Sequence, residues 1–268
     1  MVIREWPENQ PVDSDEVDRL LEEQKDISHV AVIHCETTTG ILNPLQQISD
    51  VVEKHKRSLL VDSMSAFGAL SIDSKSIKFD ALVASSNKCL EGVPGMGFCL
   101  ARREALEQTR GNSDSLCLDL FDQWNVMEAN AQWRFTPPVH CILAMHRALT
   151  EFEQEGGVQG RGGRYSENYR VQTEGMRELG YETLLPDALQ APIIITYRMP
   201  ADPAFDFDVF YQKLSQRGYV IYPGKLTVAD SFRMGCIGRL DANHMRGAVD
   251  AVKQVMQEME VTSGAPES

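Results

Sequence analysis

The 268-residue chain is 43% hydrophobic and 24% charged, an ordinary balance for a globular protein with a sizeable core. Its 39 acidic residues outnumber 26 Lys and Arg, and the net charge of −13 argues against general nucleic-acid binding, which needs a basic footprint. No apolar run approaches the ~18 residues that span a bilayer, and the start lacks the basic-then-apolar texture of a secretory signal, so a cytoplasmic protein without membrane or nucleic-acid partners is expected.

The first 28 residues are acidic and carry Pro7 and Pro11. Residues 29–35 read as a buried strand, and 44–56 as a helix with Pro44 suited to its first turn. A second apolar run at 58–61 ends at Asp62, a third at 79–84 leads into Ser85-Ser86-Asn87-Lys88, and a fourth covers 96–101. Strands alternating with helices predict an α/β protein with a mostly parallel sheet. Ligands of such sheets sit outside the carboxyl ends of the strands, so the segments 36–40, 62–65 and 85–88 should converge on one crevice.

The texture changes after Thr136-Pro137-Pro138. Helices are predicted at 139–155, 166–179, 206–217 and 241–259, with strands at 192–197, 219–222 and 231–235. The glycine-rich stretch 156–164 between the first two helices reads as a loop. It lacks the Gly-Lys-Ser/Thr ending of a phosphate-binding loop. The chain thus divides into a larger part, 1–138, and a small C-terminal α+β part, 139–268. The six cysteines form no C-x-x-C pair and have no histidine at zinc spacing, so they read as small buried hydrophobes rather than metal ligands.

Two residues carry the sharpest chemistry. Lys88 follows a polar turn at a strand end, where a lysine can lose its proton and react with an aldehyde. Position alone favours a solvated loop lysine. Asp62, at a neighbouring strand end, could cap a helix or hold a metal. Paired with Lys88, it suggests pyridoxal phosphate chemistry, which needs a carboxylate to keep the pyridine nitrogen protonated.

Three ordered motifs extend this pair. His34-Cys35-Glu36-Thr37-Thr38-Thr39-Gly40, Val61-Asp62-Ser63-Met64-Ser65-Ala66-Phe67-Gly68 and Ser85-Ser86-Asn87-Lys88-Cys89-Leu90-Glu91-Gly92-Val93-Pro94-Gly95 resemble the class V aminotransferases. The resemblance continues through Arg134-Phe135-Thr136-Pro137-Pro138 and Ser231-Phe232-Arg233-Met234-Gly235-Cys236-Ile237-Gly238. It implies fold type I of the pyridoxal 5′-phosphate-dependent transferases, with a partial large domain and a small C-terminal α+β domain. Lys88 would hold the cofactor and shuttle a proton, and Asp62 would pair with the pyridinium. Met64 would lie on one ring face, and Thr38 or Thr39 near the ring hydroxyl. Thr136 would reach the cofactor phosphate of a neighbouring subunit in a homodimer, and Arg233 would clamp the acidic group of the substrate. No metal is implied.

The activity implied is amino transfer from 2-aminoethylphosphonate to pyruvate, giving phosphonoacetaldehyde and alanine, a step of phosphonate catabolism. A serine- or alanine–glyoxylate reaction is the alternative within the class. Cysteine desulfurases usually carry His before the lysine, where this chain has Asn87. Members of the family also carry a longer N-terminal portion that binds much of the cofactor phosphate. A truncated member is therefore expected, and a catalytically silent chain that only binds a partner subunit is the alternative outside the enzymes.

Overall fold

The computed structural model describes residues 1–224, 226 and 229–267. The acidic N-terminal stretch, for which no element is expected, folds into helix α1 (Ser14–Glu23). Asp13 caps it by accepting from the amides of Asp15 and Glu16, satisfying donors that a first turn leaves unpaired. Strand β1 (His29–Ile33), helix α2 (Leu45–Lys54), and strands β2 (Ser58–Asp62), β3 (Ala81–Ser85) and β4 (Gly97–Ala101) follow. They form one sheet in the order β1-β2-β3-β4, the first three strands parallel and β4 antiparallel to β3. The mostly parallel sheet is as expected.

Its register sets up the site. Ile33 lies opposite Asp62, and Asp62 opposite Val83. The chain therefore leaves β1, β2 and β3 at the same carboxyl end of the sheet. Alternation fixes the two faces. Val32, Leu59, Val61, Leu82 and Ala84 are buried against Val17 and Leu21 of α1 and Leu45, Ile48 and Val52 of α2. Each Val, Leu or Ile among them contributes roughly 1.5–3 kcal/mol by leaving water. On the opposite face Ile33, Leu60 and Val83 are exposed.

Helices α3 (Arg103–Glu107) and α4 (Leu120–Asn130) lead to α5 (Val139–Gln154) and α6 (Gly157–Glu178). Strand β5 (Ile194–Arg198), helix α7 (Phe207–Gln216), strands β6 (Tyr222–Pro223) and β7 (Ser231–Gly235), and helix α8 (Ala242–Glu258) complete the chain. The second sheet has the order β5-β7-β6 and is antiparallel throughout. Its core is built on Tyr181, Tyr197, Phe210 and Phe232, with Val252 and Val255 of α8 packed beneath. The Tyr197 and Phe232 rings stack 5.6 Å apart.

The loop expected at 156–164 is helix instead: α6 begins at Gly157 and runs 22 residues. Small residues are required there because the helix meets other backbone. A Cβ on Gly162 would stand 2.3 Å from the Ala69 carbonyl oxygen, and one on Gly160 1.8 Å from that of Glu155. Close packing, rather than a flexible link, accounts for Gly160 and Gly162. The strand expected at 219–222 is confined to Tyr222–Pro223.

Candidate active site

Three loops meet at the carboxyl end of the parallel strands, and they are the three motifs singled out in the sequence. After β1, the chain turns through Glu36, Thr37, Thr38 and Thr39 to Gly40. The Glu36 carboxylate accepts from the Thr38 amide at 3.1 Å and from its hydroxyl at 3.2 Å. Thr39 is buried, and its hydroxyl accepts from the Ile41 amide at 3.2 Å. Of the two threonines, Thr39 is thus committed to its own turn, while Thr38 stays partly accessible.

After β2, Asp62 Oδ1 accepts from the Met64 amide at 2.9 Å, which folds the loop and fixes the carboxylate at the strand end. Met64 is 37% exposed at the crevice, so it is not a core residue. The β1 and β2 loops are joined by a 2.7 Å bond between the hydroxyls of Thr37 and Ser65. His34 Nδ1 lies 3.3 Å from Ser63 Oγ, and burial depresses the imidazole to about 4. His34 is therefore neutral at physiological pH.

After β3 come Ser85, Ser86, Asn87 and Lys88. The turn is closed by the Glu91 amide donating to the Lys88 carbonyl at 2.9 Å and the Gly92 amide to that of Ser86 at 2.7 Å. Asp62 and Val83 are partners across the sheet and Ser85 lies two residues further, so Asp62 and Ser85 share one face. The Ser85 hydroxyl is buried and has no hydrogen-bond partner among the described residues. An unpaired buried hydroxyl of this kind is costly unless a ligand completes it.

The second sheet contributes Arg233 from β7. Its Nη1 donates to the Thr37 carbonyl at 3.1 Å and its Nε to that of Pro223 at 3.3 Å. The guanidinium lies 5.7 Å from the centre of the Tyr222 ring. Arg233 is only 7% exposed, yet no carboxylate pairs with it among the described residues. A buried cation without a counter-ion is expensive. Arg233 thus presents a charge-matched place for an anion beside the Thr37 loop.

The structure brings Asp62, Met64, Lys88, Thr38, Thr39 and Arg233 to the loops of one region. Thr136 stands apart, exposed in the segment between α4 and α5, and makes no hydrogen bond to the crevice loops among the described residues. Ser85, Thr37 and Tyr222 were not singled out from the sequence. Ser85 was legible as a strand-end hydroxyl three residues before Lys88, whereas Tyr222 depends on tertiary packing. Burial pushes the Cys35 and Cys89 thiols up to about 12, and Cys236 higher still, so these three are inert. Cys117 departs from the expectation for the cysteines in being exposed. No group of three or more metal-ligating side chains occurs, and no helix is long and apolar enough to cross a membrane, among the described residues.

The model of the family Aminotransferase class-V matches residues 2–200. The chain is 53% identical over 255 residues to 2-aminoethylphosphonate–pyruvate transaminase 1 of Polaromonas sp. strain JS666, covering 95% of this chain and 68% of that protein. It is 51% identical over 257 residues to 2-aminoethylphosphonate–pyruvate transaminase of Pseudomonas fluorescens strain Pf-5, covering 96% and 70%. Among solved structures, pyridoxamine–pyruvate aminotransferase from Mesorhizobium loti superposes with a TM-score of 0.86 at 24% identity, over 97% of this chain and 68% of that one. Alanine–glyoxylate aminotransferase from Nostoc sp. does so with 0.83 at 20% identity, over 94% and 67%. At such identities these two structures speak for the fold.

Proposed function

The chain belongs to the class V aminotransferases, and from that premise we propose that it transfers the amino group of 2-aminoethylphosphonate to pyruvate, giving phosphonoacetaldehyde and alanine. The observation that carries the anionic substrate is Arg233, a buried guanidinium with no carboxylate partner among the described residues. Its planar fork suits a phosphonate or a carboxylate, so one arginine serves donor and acceptor in turn. Relatives sharing about half their residues with this chain carry the same two substrates in their names.

The cofactor of this class is pyridoxal 5′-phosphate, and the loops fit it. They offer a carboxylate, an amine and an unpaired buried hydroxyl at Asp62, Lys88 and Ser85, matching a basic ring nitrogen, an aldehyde and polar ring substituents. Bound there, it supplies the carbonyl that takes up the amino group and the ring that draws electrons from the substrate carbon. Asp62 would hold the ring nitrogen and keep a proton on it through its charge. The Lys88 amine takes the proton from the substrate carbon and returns it on the other side of the transfer. Met64 would lie against the ring, and Thr38 would be the freer of the two threonines to bond it, since the Thr39 hydroxyl serves its own turn. Arg233 fixes the acidic end of the substrate, so that its amine and not its anion meets Lys88.

The part of the chain at 1–138 carries the cofactor loops, and 139–268 carries Arg233. The active species is a cytoplasmic homodimer in which Thr136 reaches the partner's cofactor phosphate. Supporting this, Trp133, Phe135, Val139 and Leu143, which flank Thr136 in the chain, are large apolar side chains left exposed. The test is turnover with purified chain, added cofactor, 2-aminoethylphosphonate and pyruvate, following alanine. Turnover of alanine with glyoxylate, and none of the phosphonate, would overturn the reading in favour of the alternative within the class.

A further inference from the structure

A largely buried ionic network, fully buried at Arg161 and half-buried at Glu91, Glu155 and Arg164, lies behind the lysine turn and takes no part in the chemistry described so far. Glu91, three residues after Lys88, adopts φ 60°, a left-handed conformation that costs a residue with a side chain and persists where surroundings over-determine it. Those surroundings are one face of α6. Glu91 Oε1 accepts from Tyr165 Oη at 2.6 Å and from Arg164 Nη2 at 2.7 Å, and its Oε2 faces Arg161 Nη2 at 3.6 Å. Arg161, 1% exposed, also donates to the carbonyl of Cys89, the residue after Lys88. Glu155 accepts from Arg161 Nε and Arg164 Nε at 2.7 Å each, so two guanidinium groups face two carboxylates and the network's charge balances.

The same helix face holds the other side of the site. Arg164 Nη1 donates to the Gly238 carbonyl at 2.5 Å and to that of Leu240 at 2.8 Å. Tyr165 Oη, fully buried, accepts from the Gly238 amide at 3.2 Å while it donates to Glu91. Asn168 Nδ2 donates to the carbonyls of Cys236 and Leu240 at 3.0 Å each. Residues 236–240 are the direct continuation of β7, which carries Arg233. One helix face therefore grips both the lysine turn and the end of the arginine strand.

We propose that Glu91 is a positioning residue: tied to Tyr165, Arg161 and Arg164 of α6, it holds the turn bearing Lys88 in register with the strand bearing Arg233. The inference rests on the roles proposed above for Lys88 and Arg233. A transaminase must hold the substrate's anion and its amine a fixed distance apart, and this network spans the protein between the two groups. The reach from Arg233 to Lys88 is then set by α6 rather than by the flexible side chains themselves.

The test uses Tyr165→Phe, which removes the hydroxyl shared by the two sides, with Glu91→Gly and Glu91→Gln. Glycine relieves the left-handed backbone but removes the tether; glutamine keeps an acceptor for Tyr165 and Arg164. Amide hydrogen exchange of a peptide spanning 86–95 in the cofactor-free chain is read first, because it needs no activity. Exchange in that peptide should rise tenfold or more in Tyr165→Phe and Glu91→Gly, and less in Glu91→Gln. In turnover assays kcat should fall about tenfold in the first two while KM for the phosphonate stays within about threefold, with Glu91→Gln partly restored. Exchange unchanged from wild type in both Tyr165→Phe and Glu91→Gly overturns the proposal. So does a fall in kcat fully explained by a smaller folded fraction. A wild type that turns over nothing defeats the functional reading, and the exchange comparison alone then decides whether Glu91 holds the turn.

Discussion

Arg233 and His34 show how differently two buried basic side chains behave. Arg233 cannot discharge, and no carboxylate pairs with it among the described residues. Arg233→Lys keeps the charge but loses the fork that reaches the Thr37 carbonyl and, in the role proposed, would clamp the substrate. KM for phosphonate and pyruvate should both rise, and rise further in Arg233→Ala, by about 10–100-fold for ~1.4–2.8 kcal/mol lost. Steady-state kinetics with each substrate varied in turn decides this, and unchanged constants in Arg233→Ala would make the arginine structural. His34 escapes its cost by staying neutral. Its folded value of about 4 lies below the ordinary 6.5, because burial disfavours the imidazolium. The unfolded chain therefore binds the extra proton first, and stability is lost as pH falls from 6.5 toward 4. By linkage the loss from this residue reaches about 3 kcal/mol at pH 4. Urea unfolding across that range should show a slope that His34→Asn largely removes, and an unchanged slope in the variant would assign the acid sensitivity elsewhere.

At the level of elements, the loop after β1 is shaped by what it must pass. Gly40 has φ 86°, and a Cβ there would stand 2.1 Å from the Ile194 carbonyl oxygen. Its own carbonyl accepts from the Ala191 amide at 2.9 Å and from Gln190 Nε2 at 3.1 Å, docking the threonine loop against the entry to β5. Gly40→Ala should cost on the order of 3 kcal/mol through strain and the clash with β5. Gly163→Ala, inside α6 with nothing within 4 Å, should instead stabilise by about 0.4–1 kcal/mol. Denaturant midpoints of the two variants should therefore move in opposite directions, and a neutral Gly40→Ala would show that the loop is not held this way. The contrast also marks the limits of what the sequence discloses. The three parallel strands were legible because their apolar runs end in polar clusters, and topology then forces those clusters to one end. Asp62 and Lys88 were placed at those strand ends by that rule together with family motifs. Helix α1 was hidden by its acidic composition, although Asp13 followed by Val17 and Leu21 is a cap with a four-residue apolar spacing. The start of α6 was misread because glycine favours loops locally, whereas here it admits the Ala69 backbone, a tertiary demand with no local signal. Glu91 was quoted within a motif, but its partners stand some seventy residues away along the chain.

On the scale of the whole molecule, Thr136 makes no hydrogen bond to the site loops of its own chain among the described residues. It stands exposed beside Trp133, Phe135, Val139 and Leu143, a run of apolar side chains that a monomer would gain by burying. If two copies pair there by a twofold axis, each site combines Lys88 of one chain with Thr136 of the other. Mixing then gives a result that no single-chain site can give. Lys88→Ala lacks the amine, and Thr136→Ala lacks the phosphate contact, so each homodimer has two damaged sites. In a mixed dimer one site takes both defects and the other takes neither. Random pairing of equal amounts makes about half of all dimers mixed, each with one intact site of two, so about a quarter of wild-type activity should return. Cofactor retention gives a second readout: after borohydride reduction, the Thr136→Ala chain should keep more label on Lys88 when mixed than when alone. If the sites were confined to single chains, mixing would restore neither, and with exchange of subunits confirmed by mass the shared arrangement would be refuted.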